Sequence, residues 1–379
     1  MSKQPKKKNG SSGQTLLFII SFIIGGVGGF LVTHYSEQIT QDSTLVETVL
    51  IYMLEISVLI IGIFLQVIIH EAGHLIFGLL SGYKFSSFRI ASLIFVKEND
   101  QLKIKKLKIA GTGGQCLMTP PDLIDGKMPV VLYNLGGSIL NIILSTIFAV
   151  ISFFTASIPL LSMSMLIIAV IGVAFALING VPMRLGLVDN DGYNAFSLTR
   201  NPKALKAFWI SLKANAQIAT GARIKDLPAE WFEMPDCEDL KNSMVATQGA
   251  LSCNYLLDTK RFVEAKEQIS YLLNAESGIV GLTRNGLICD QIYLEIITDN
   301  QREVVEALLT KEQKKFMKQM NNHPSIIRTQ FVISLLFDKD SSKAAKFKEQ
   351  FNKVAKSYPY HSELQSELEL MEYAEKLAL

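Results

Sequence analysis

One of the most apolar stretches of the chain runs from about Val46 to Leu80, and near its end it carries His70, Glu71 and His74 within five residues. A charged side chain in a bilayer costs roughly 2.5–3.5 kcal/mol on insertion scales, so such groups usually face a protein interior and have a function. Residues four apart lie on one face of a helix, so the two histidines can bind the same ion. The pattern indicates a metal site within a membrane helix; two histidines with unrelated hydrogen bonds are the alternative.

The residue types point to zinc as the metal. Two imidazoles suit zinc, and a third protein ligand with one open position makes such a site catalytic. The chain has five histidines, and the other three lie far from the pair in sequence, so the third ligand is expected to be Asp or Glu. The four cysteines form no CxxC pair, which gives no indication of a disulfide framework or a cysteine-type zinc site. A net charge of +2 gives no argument for a nucleic-acid partner.

Hydrophobic residues make up 49% of the chain, and they are concentrated before Pro182. Four segments are long and apolar enough to span a bilayer, at about 16–33, 46–80, 130–155 and 160–181. The first has the length of a signal peptide, but no clean small-residue cleavage site follows it, so we interpret it as an uncleaved span. The expected domains are a cytosolic basic tail at 1–14, a membrane zinc protease domain at 15–200 and a cytosolic helical-repeat domain at 201–379.

Lysine and arginine are distributed unevenly between these spans. Four lysines precede the first span and eight basic residues lie in 81–129, whereas the loop 36–44 and the turn at Pro159 have none. Because cytosolic loops carry the excess of positive charge, we expect a multi-pass protein of the cell membrane with both termini in the cytosol. His70 lies ten residues from Leu80, which places the site roughly 15 Å inside the membrane face at 1.5 Å per residue.

The segment 81–129 is too polar to span a membrane. Strand-forming residues on either side of a turn at 98–100 predict a β-hairpin within 85–119. The doubled Lys105-Lys106 interrupts the alternation of the second strand and suggests a β-bulge. After the glycine-rich turn at 111–114, residues 115–119 could add a third strand.

The sequence from Pro202 onward has a helical pattern. Three stretches each predict two helices around a short break; they are 244–273, 283–309 and 325–354, with breaks at Asp258, Asp299 and Asp338. The second helices carry alanines at similar places, namely Ala265, Ala307 and Ala345. A period near 40 residues is typical of helical-hairpin repeats, so an all-α, tetratricopeptide-like domain with a capping helix at 363–377 is expected. An ordinary helical bundle is the alternative.

Two further motifs accompany His70-Glu71-Ala72-Gly73-His74. They are Gly137-Ser138-Ile139-Leu140-Asn141 and Asn179-Gly180-Val181-Pro182 followed by Asp191-Gly192. With these three motifs the region 46–192 resembles the site-2 protease family of intramembrane zinc metalloproteases (peptidase family M50). The resemblance implies a core of three membrane helices and the following roles: zinc ligands His70, His74 and Asp191; general base Glu71; substrate-holding catalytic-site residues Asn141 and Asn179.

The resemblance has one departure and one limit. Nine positions separate Pro182 from Asp191, which is more than is common in the family, so Asp189 is a rival third ligand. We favour Asp191 because Gly192 would let the chain turn sharply and aim that carboxylate at the ion. The residues from Pro202 to the end lie outside the resemblance.

The sequence therefore predicts a zinc endopeptidase that hydrolyses peptide bonds within or near membrane-spanning segments. Its expected partners are a membrane-embedded protein or peptide substrate, the lipid bilayer, and a protein bound to the helical repeats; no nucleic acid is expected. One alternative is a catalytically silent membrane scaffold or immunity protein acting through its repeats. The presence of Glu71 argues against it, because a silent relative needs no base. A metal transporter is the second alternative, and the lack of an acidic relay in the other spans weakens it.

Overall fold

The computed structural model describes residues 11–98, 101–109 and 112–378. Most of the predicted basic tail, the turn residues Asn99 and Asp100, and Gly111 lie outside the described residues. The chain forms two compact units. The first contains the chain up to Tyr83 and Pro129–Arg200, and the second contains Lys84–Met128 and Asn201–Leu379.

The first unit is helical. Its helices are α1 (Ser11–Thr40), α2 (Leu45–Leu80), α3 (Val131–Phe154), α4 (Pro159–Gly180) and α5 (Asp191–Arg200). Four of them are long and apolar enough to cross a membrane, over Gly13–Glu37, Leu45–Leu80, Val131–Phe154 and Pro159–Gly180. These are the four spans that the sequence predicts, because long uninterrupted apolar runs form helices that bury no backbone polar group unpaired.

Local signals fix where two of these helices begin. Thr44 and Glu47 form a capping box at the start of α2, in which the Thr44 backbone N–H donates to Glu47 Oε2 at 2.8 Å and the Glu47 N–H donates to Thr44 Oγ1 at 3.4 Å. Pro159 occupies the first turn of α4, where its missing N–H costs nothing.

The second unit contains a small antiparallel sheet. Its strands are β1 (Lys84–Ile90), β2 (Leu93–Glu98), β3 (Gln101–Lys106) and β4 (Gly114–Thr119), in the order β3-β2-β1-β4. The predicted first strand of the hairpin is two strands, because the chain reverses at Ala91 and Ser92 with Ala91 at φ +51°. The predicted bulge at Lys105-Lys106 was wrong: β3 pairs regularly with β2 through Lys106, and the irregularity lies between Phe85 and Ser87 in β1.

The sheet shares a hydrophobic core with the C-terminal helices. Ile94, Val96 and Leu107 are buried in the same cluster as Leu240 and Tyr293. The backbone N–H of Lys106 also donates to the Ser357 carbonyl at 2.9 Å. The strands thus group with residues 201–378, whereas the sequence-based division placed them with the membrane helices.

The second unit also contains nine α-helices, within the part of the chain that the structure describes. They are α6 (Pro202–Ala219), α7 (Ser243–Asp258), α8 (Phe262–Asn274), α9 (Gly281–Ile297), α10 (Arg302–Leu308), α11 (Lys311–Gln319), α12 (Pro324–Val332), α13 (Ser341–Ala355) and α14 (His361–Leu377). A π-helical turn, Ile333–Phe337, extends α12. Breaks between helices occur at each of the three predicted places.

The three breaks share one backbone conformation. Lys260, Asn300 and Lys339 have φ of +60°, +47° and +57°, and each precedes a helix. Five residues after each of them, a small side chain is buried at the fourth position of that helix: Ala265, Val305 and Ala344, exposed by 0%, 0% and 2%. Ala307 and Ala345 are exposed, so the alanine alignment made from the sequence was wrong for two of its three members.

Candidate metal centre

Two neighbouring histidines and an aspartate from a distant part of the sequence meet inside the first unit. His70 and His74 lie one turn apart on α2, and Asp191 is the first residue of α5. Asp191 Oδ2 lies 3.0 Å from His70 Nε2 and 3.3 Å from His74 Nε2, and the two Nε2 atoms lie 3.2 Å apart. Both histidines are buried, at 7% and 8% exposure. These are the residues that can together hold a metal ion.

The chemistry of this donor set fits zinc. His74 Nδ1 lies 2.7 Å from the Tyr133 carbonyl oxygen, which only accepts, so Nδ1 carries the proton and Nε2 keeps its lone pair. A tetrahedral zinc with bonds of about 2.0–2.1 Å separates its ligand atoms by roughly 3.3 Å. The observed separations of 3.0–3.3 Å match this, and two imidazoles with one carboxylate are a usual catalytic zinc set.

Close helix packing brings α2 and α3 together at this point. A Cβ at Gly136 would lie 2.6 Å from the Gly73 carbonyl oxygen, and a Cβ at Gly73 would collide with the Gly136 carbonyl. A Cβ at Gly137 would lie 2.5 Å from Cε1 of His70. The glycines therefore let the backbone of α3 lie directly against the imidazole, which holds the ring in one orientation.

A small closed loop returns Asp191 to the site. Between Met183 and Asn190 the chain forms a tight hairpin: the Leu185 N–H donates to the Val188 carbonyl at 3.2 Å, and Gly186 takes φ +86°. The extra residues between Pro182 and Asp191 are therefore looped out within this hairpin. The longer spacing is thus compatible with Asp191 reaching the histidines.

Asp189 lies within this hairpin and points elsewhere. Its Oδ1 accepts from Arg184 Nε at 3.3 Å, and the two residues form a β-bridge. Asp189 is absent from the His70–His74–Asp191 group. The geometry therefore selects Asp191, not Asp189, as the carboxylate beside the histidines.

Asn190 fastens the hairpin to the end of α4. Its Oδ1 accepts from the N–H groups of Met183 and Tyr193, both at 2.9 Å. Its Nδ2 donates to the carbonyls of Ile178 at 2.7 Å and Val181 at 2.6 Å. The sequence interpretation did not identify this residue, although asparagine is a preferred helix cap and Asn190 directly precedes α5.

Gly192 has a different role from the one expected. Its φ is not in the left-handed region, so it does not provide a sharp turn. A Cβ at this position would instead collide with the Gly180 carbonyl. Gly192 lets α5 start in contact with the end of α4, and this contact fixes the depth of Asp191.

Glu71 lies between the two histidines on α2 and is buried, at 8% exposure. Its carboxylate is close enough to His74 to interact with it electrostatically. Glu71 does not belong to the group of three candidate ligands. Its position suits a group that acts beside the ion rather than on it.

The two asparagines of the motifs occupy different environments. Asn141 is fully buried, with Oδ1 at 2.8 Å from His70 Nδ1 and Nδ2 donating to Gln66 Oε1 at 2.7 Å. Asn179 is half-buried at the end of α4, and its Nδ2 donates to the Phe175 carbonyl at 2.9 Å. The structure brings Asn141 onto a ligand, whereas Asn179 bonds within its own helix.

A family comparison bears directly on this geometry. Residues 58–360 match the model of peptidase family M50, the site-2 protease family. The chain belongs to peptidase family M50. Membership of M50 implies an intramembrane metalloprotease. The M50 match also extends well beyond Gly192, so the expectation that the residues after Pro202 lie outside the resemblance was wrong for most of them. No curated protein and no solved structure matches the chain.

Proposed function

We propose that this chain is a zinc endopeptidase that hydrolyses peptide bonds within or near membrane-spanning segments of protein or peptide substrates. The observation that carries the proposal is the convergence of His70 Nε2, His74 Nε2 and Asp191 Oδ2 within 3.0–3.3 Å of one another, among helices apolar enough to cross a membrane. A catalytic zinc takes three such ligands and keeps one position for substrate or water.

The residues around the proposed ion have different roles in hydrolysis. Zinc bound by His70, His74 and Asp191 would polarise the scissile carbonyl and acidify the attacking water. Glu71 takes the proton from that water and delivers it to the leaving amine, which is the usual task of a carboxylate beside the metal. Because Glu71 is buried, bulk water does not compete for this proton.

The two asparagines take different parts in this mechanism. Both amide atoms of Asn141 are engaged with His70 and Gln66, so we assign it to orienting His70 rather than to binding the intermediate. Asn179 is half-buried, and its side-chain oxygen can accept from a substrate backbone N–H. A substrate helix that unwinds at the site needs such replacements for its lost backbone hydrogen bonds.

The proposed topology is multi-pass, with both termini in the cytosol. The Lys and Arg asymmetry supports it. An independent support comes from the second unit: residues 84–128 and 201–378 share one core, so they lie on the same side of a membrane. Two segments on one side require an even number of spans between them, and α3 and α4 supply two.

The helical part of the second unit is proposed to be a tetratricopeptide-like repeat that recruits or orients a protein partner. The recurring left-handed residues Lys260, Asn300 and Lys339 lie 40 and 39 residues apart and support a helical-hairpin repeat. Repeats of this kind present side chains from successive helices on one surface, which suits binding an extended segment.

The test of the function compares wild type with Glu71→Gln. The variant keeps all three proposed ligands, so it should retain near-stoichiometric zinc after purification while membrane proteomics shows its substrates accumulating uncleaved. His70→Ala should lose both zinc and cleavage. Substantial proteolysis by Glu71→Gln would refute the general-base assignment, and a purified wild type that binds no zinc would refute the proposed metal centre.

A further inference from the structure

The hydrogen bonds of Gln66 lead from the interior of the helix bundle to the metal centre. Gln66 lies one turn before His70 on α2, and its side chain is fully buried. Its Nε2 donates to the Ile168 carbonyl on α4 at 3.0 Å, and its Oε1 accepts from Asn141 Nδ2 on α3 at 2.7 Å. Asn141 Oδ1 in turn lies 2.8 Å from His70 Nδ1. A buried amide is stable only when such bonds are made.

The donor-to-acceptor direction of this series of hydrogen bonds is fixed at its Ile168 end. The Ile168 carbonyl can only accept, so Gln66 must turn its NH₂ group toward α4 and its oxygen toward Asn141. Asn141 must then present Nδ2 to Gln66 and Oδ1 to His70. An acceptor facing Nδ1 requires the proton on that nitrogen, and the neutral ring then carries its lone pair on Nε2. Nε2 is the atom that lies 3.0 Å from Asp191 Oδ2.

We propose that Gln66 is a positioning residue that sets the tautomer of His70 through Asn141, with the Ile168 carbonyl as the fixed reference. The inference rests on the proposed metal centre and deepens it. His74 needs no such residue, because its Nδ1 meets the Tyr133 carbonyl directly. The two ligands on α2 thus reach the same tautomer by different routes: one by direct contact with a carbonyl, the other through two amides. Partners of this kind commonly change metal affinity by roughly 10–100-fold.

The alternative role of Gln66 is to join α2, α3 and α4. A joining role predicts lower thermal stability without a specific effect on the metal. Asn141 Nδ2 also donates to the Gln66 backbone carbonyl at 3.2 Å, and this longer bond remains when the side chain is replaced. The positioning role predicts that this bond alone does not hold the amide. Without the Gln66 side chain Asn141 then flips, places its NH₂ toward His70 Nδ1 and favours the proton on Nε2, where it blocks the metal. An aspartate at 141 cannot flip in this way, because both of its oxygens accept.

The experiment measures zinc affinity of the purified full chain by competition with a chromophoric chelator, together with the absorption spectrum after Co²⁺ substitution. We expect Gln66→Met to lose roughly 10–100-fold in zinc affinity and to change the Co²⁺ spectrum. Adding Asn141→Asp to Gln66→Met should restore most of both. The matched control is Ser152→Ala, which removes a buried α3–α4 hydrogen bond of 2.8 Å to the Ser162 carbonyl and should leave zinc affinity unchanged.

Each outcome decides the proposal. Wild-type zinc affinity in Gln66→Met, or a double variant that binds no better than Gln66→Met, overturns it. If Gln66→Met does not fold, the comparison of single variants at 141 replaces it: Asn141→Asp should retain zinc binding and Asn141→Leu should lose it, and equal affinities would refute the tautomer role. A wild-type protein that binds neither zinc nor Co²⁺ refutes the proposed metal centre itself, which is distinguishable from failure of the Gln66 role alone.

Discussion

Asp191 Oδ2 lies 3.0 Å from His70 Nε2, although 121 positions separate the two residues in the sequence. The contact depends on three features: the hairpin between Met183 and Asn190, the contact of Gly192 with Gly180, and the passage of α3 beside α2. The carboxylate is therefore placed by backbone packing, and changes to this packing should be measurable as changes in zinc binding.

The first prediction separates the two candidate carboxylates. Asp191→Asn should lose zinc and proteolysis together, because a neutral amide is a poor zinc ligand. Asp189→Asn removes the charge that pairs with Arg184 but keeps a side-chain oxygen as acceptor, and Asp189 is not among the candidate ligands, so zinc content should stay near wild type. Metal analysis of the purified variants distinguishes them. Loss of zinc in Asp189→Asn with retention in Asp191→Asn would reverse the assignment.

The second prediction concerns the anchor of the hairpin. Asn190→Ala removes the cap of α5 and leaves the Ile178 and Val181 carbonyls without their donor, so zinc affinity should fall through misplacement of Asp191. Loss of such a cap typically costs about 0.5–2 kcal/mol. Asn190→Asp is the matched control: it keeps the acceptor for Tyr193 and loses the donor, so its zinc affinity should be intermediate. If Asn190→Ala bound zinc as tightly as wild type, the anchor would not position Asp191.

The third prediction concerns topology. Reporter fusions at Thr40 and Ser157 should report the outer side, and fusions at Asn99 and Leu379 should report the cytosol. The physical reasons are the Lys and Arg asymmetry and the shared core of 84–128 with the C-terminal helices. An outer signal at Asn99 combined with a cytosolic signal at Leu379 would contradict both the four-span topology and the shared core.

The fourth prediction is a pH dependence of the second unit. Burial raises the pKa of the Glu363 carboxyl from 4.5 to about 7, and the Tyr358 hydroxyl donates to its Oε2 at 2.7 Å. The folded state then holds a proton that the unfolded state has released, so stability falls as pH rises from about 4.5 to 7. Glu363→Gln keeps the acceptor and cannot ionise, so it should be about 1–2 kcal/mol more stable than wild type at pH 8 and similar at pH 4.5.

Tryptophan fluorescence can measure this effect selectively. Both tryptophans of the chain, Trp209 and Trp231, lie in the second unit, with ring centroids 5.4 Å apart. Thermal unfolding at several pH values therefore reports this unit. Glu349→Gln, at an exposed position of α13, is the control and should follow wild type at every pH. A Glu363→Gln profile parallel to that of wild type would refute the prediction.

The fifth prediction concerns independent folding. A fragment of residues 201–379 should unfold without a cooperative transition, because it lacks the buried strand residues Ile94, Val96 and Leu107. Joining 84–128 to its N-terminus through a flexible linker should restore a cooperative melt. Fully burying a side chain of this kind contributes about 1.5–3 kcal/mol, so three of them contribute about 4.5–9 kcal/mol, which is comparable to the whole stability of an ordinary domain. Equal melting temperatures for the two fragments would show that the strands contribute little.

Much of the helical architecture follows from local pattern. Hydropathy predicts a span at 46–80 and the helix occupies Leu45–Leu80, because an uninterrupted apolar run has one stable backbone conformation in lipid. The sheet was harder to predict. The reversal at Ala91 and Ser92 carries none of the Asn-Gly or Asp-Gly signals of a two-residue turn, so the two strands appeared as one. The alternation of apolar and polar residues shows which strand residues are buried, but it does not show which residues they pack against. The burial of Ile94 in the same cluster as Leu240 could therefore not be predicted.

The candidate site likewise has parts that could be predicted from the sequence and parts that could not. The helical spacing of His70 and His74 is local and readable, and the aspartate before Gly192 could be identified from the family resemblance. The hydrogen bonds of Asn141 could not be predicted, because an asparagine in an apolar span indicates a function but does not show which residues its side chain contacts. Tyr133 accepts from His74 through its backbone carbonyl, and no residue type signals such a bond.

Because the proposed metal ligands are far apart in the sequence, they are synthesised at different times. His70 and His74 enter the membrane when α2 does, and Asp191 leaves the ribosome more than a hundred residues later. At synthesis rates of about 5–20 residues per second, the two histidines exist for roughly 6–24 s before their carboxylate partner is made. The strands within 84–119 remain without their core for longer still, because the residues that pack against them are synthesised after α4 and α5. If the chain acts as proposed, a nascent chain lacks the complete metal centre until Asp191 has followed α4 out of the ribosome, and a chain stalled before that residue would not cleave neighbouring membrane proteins.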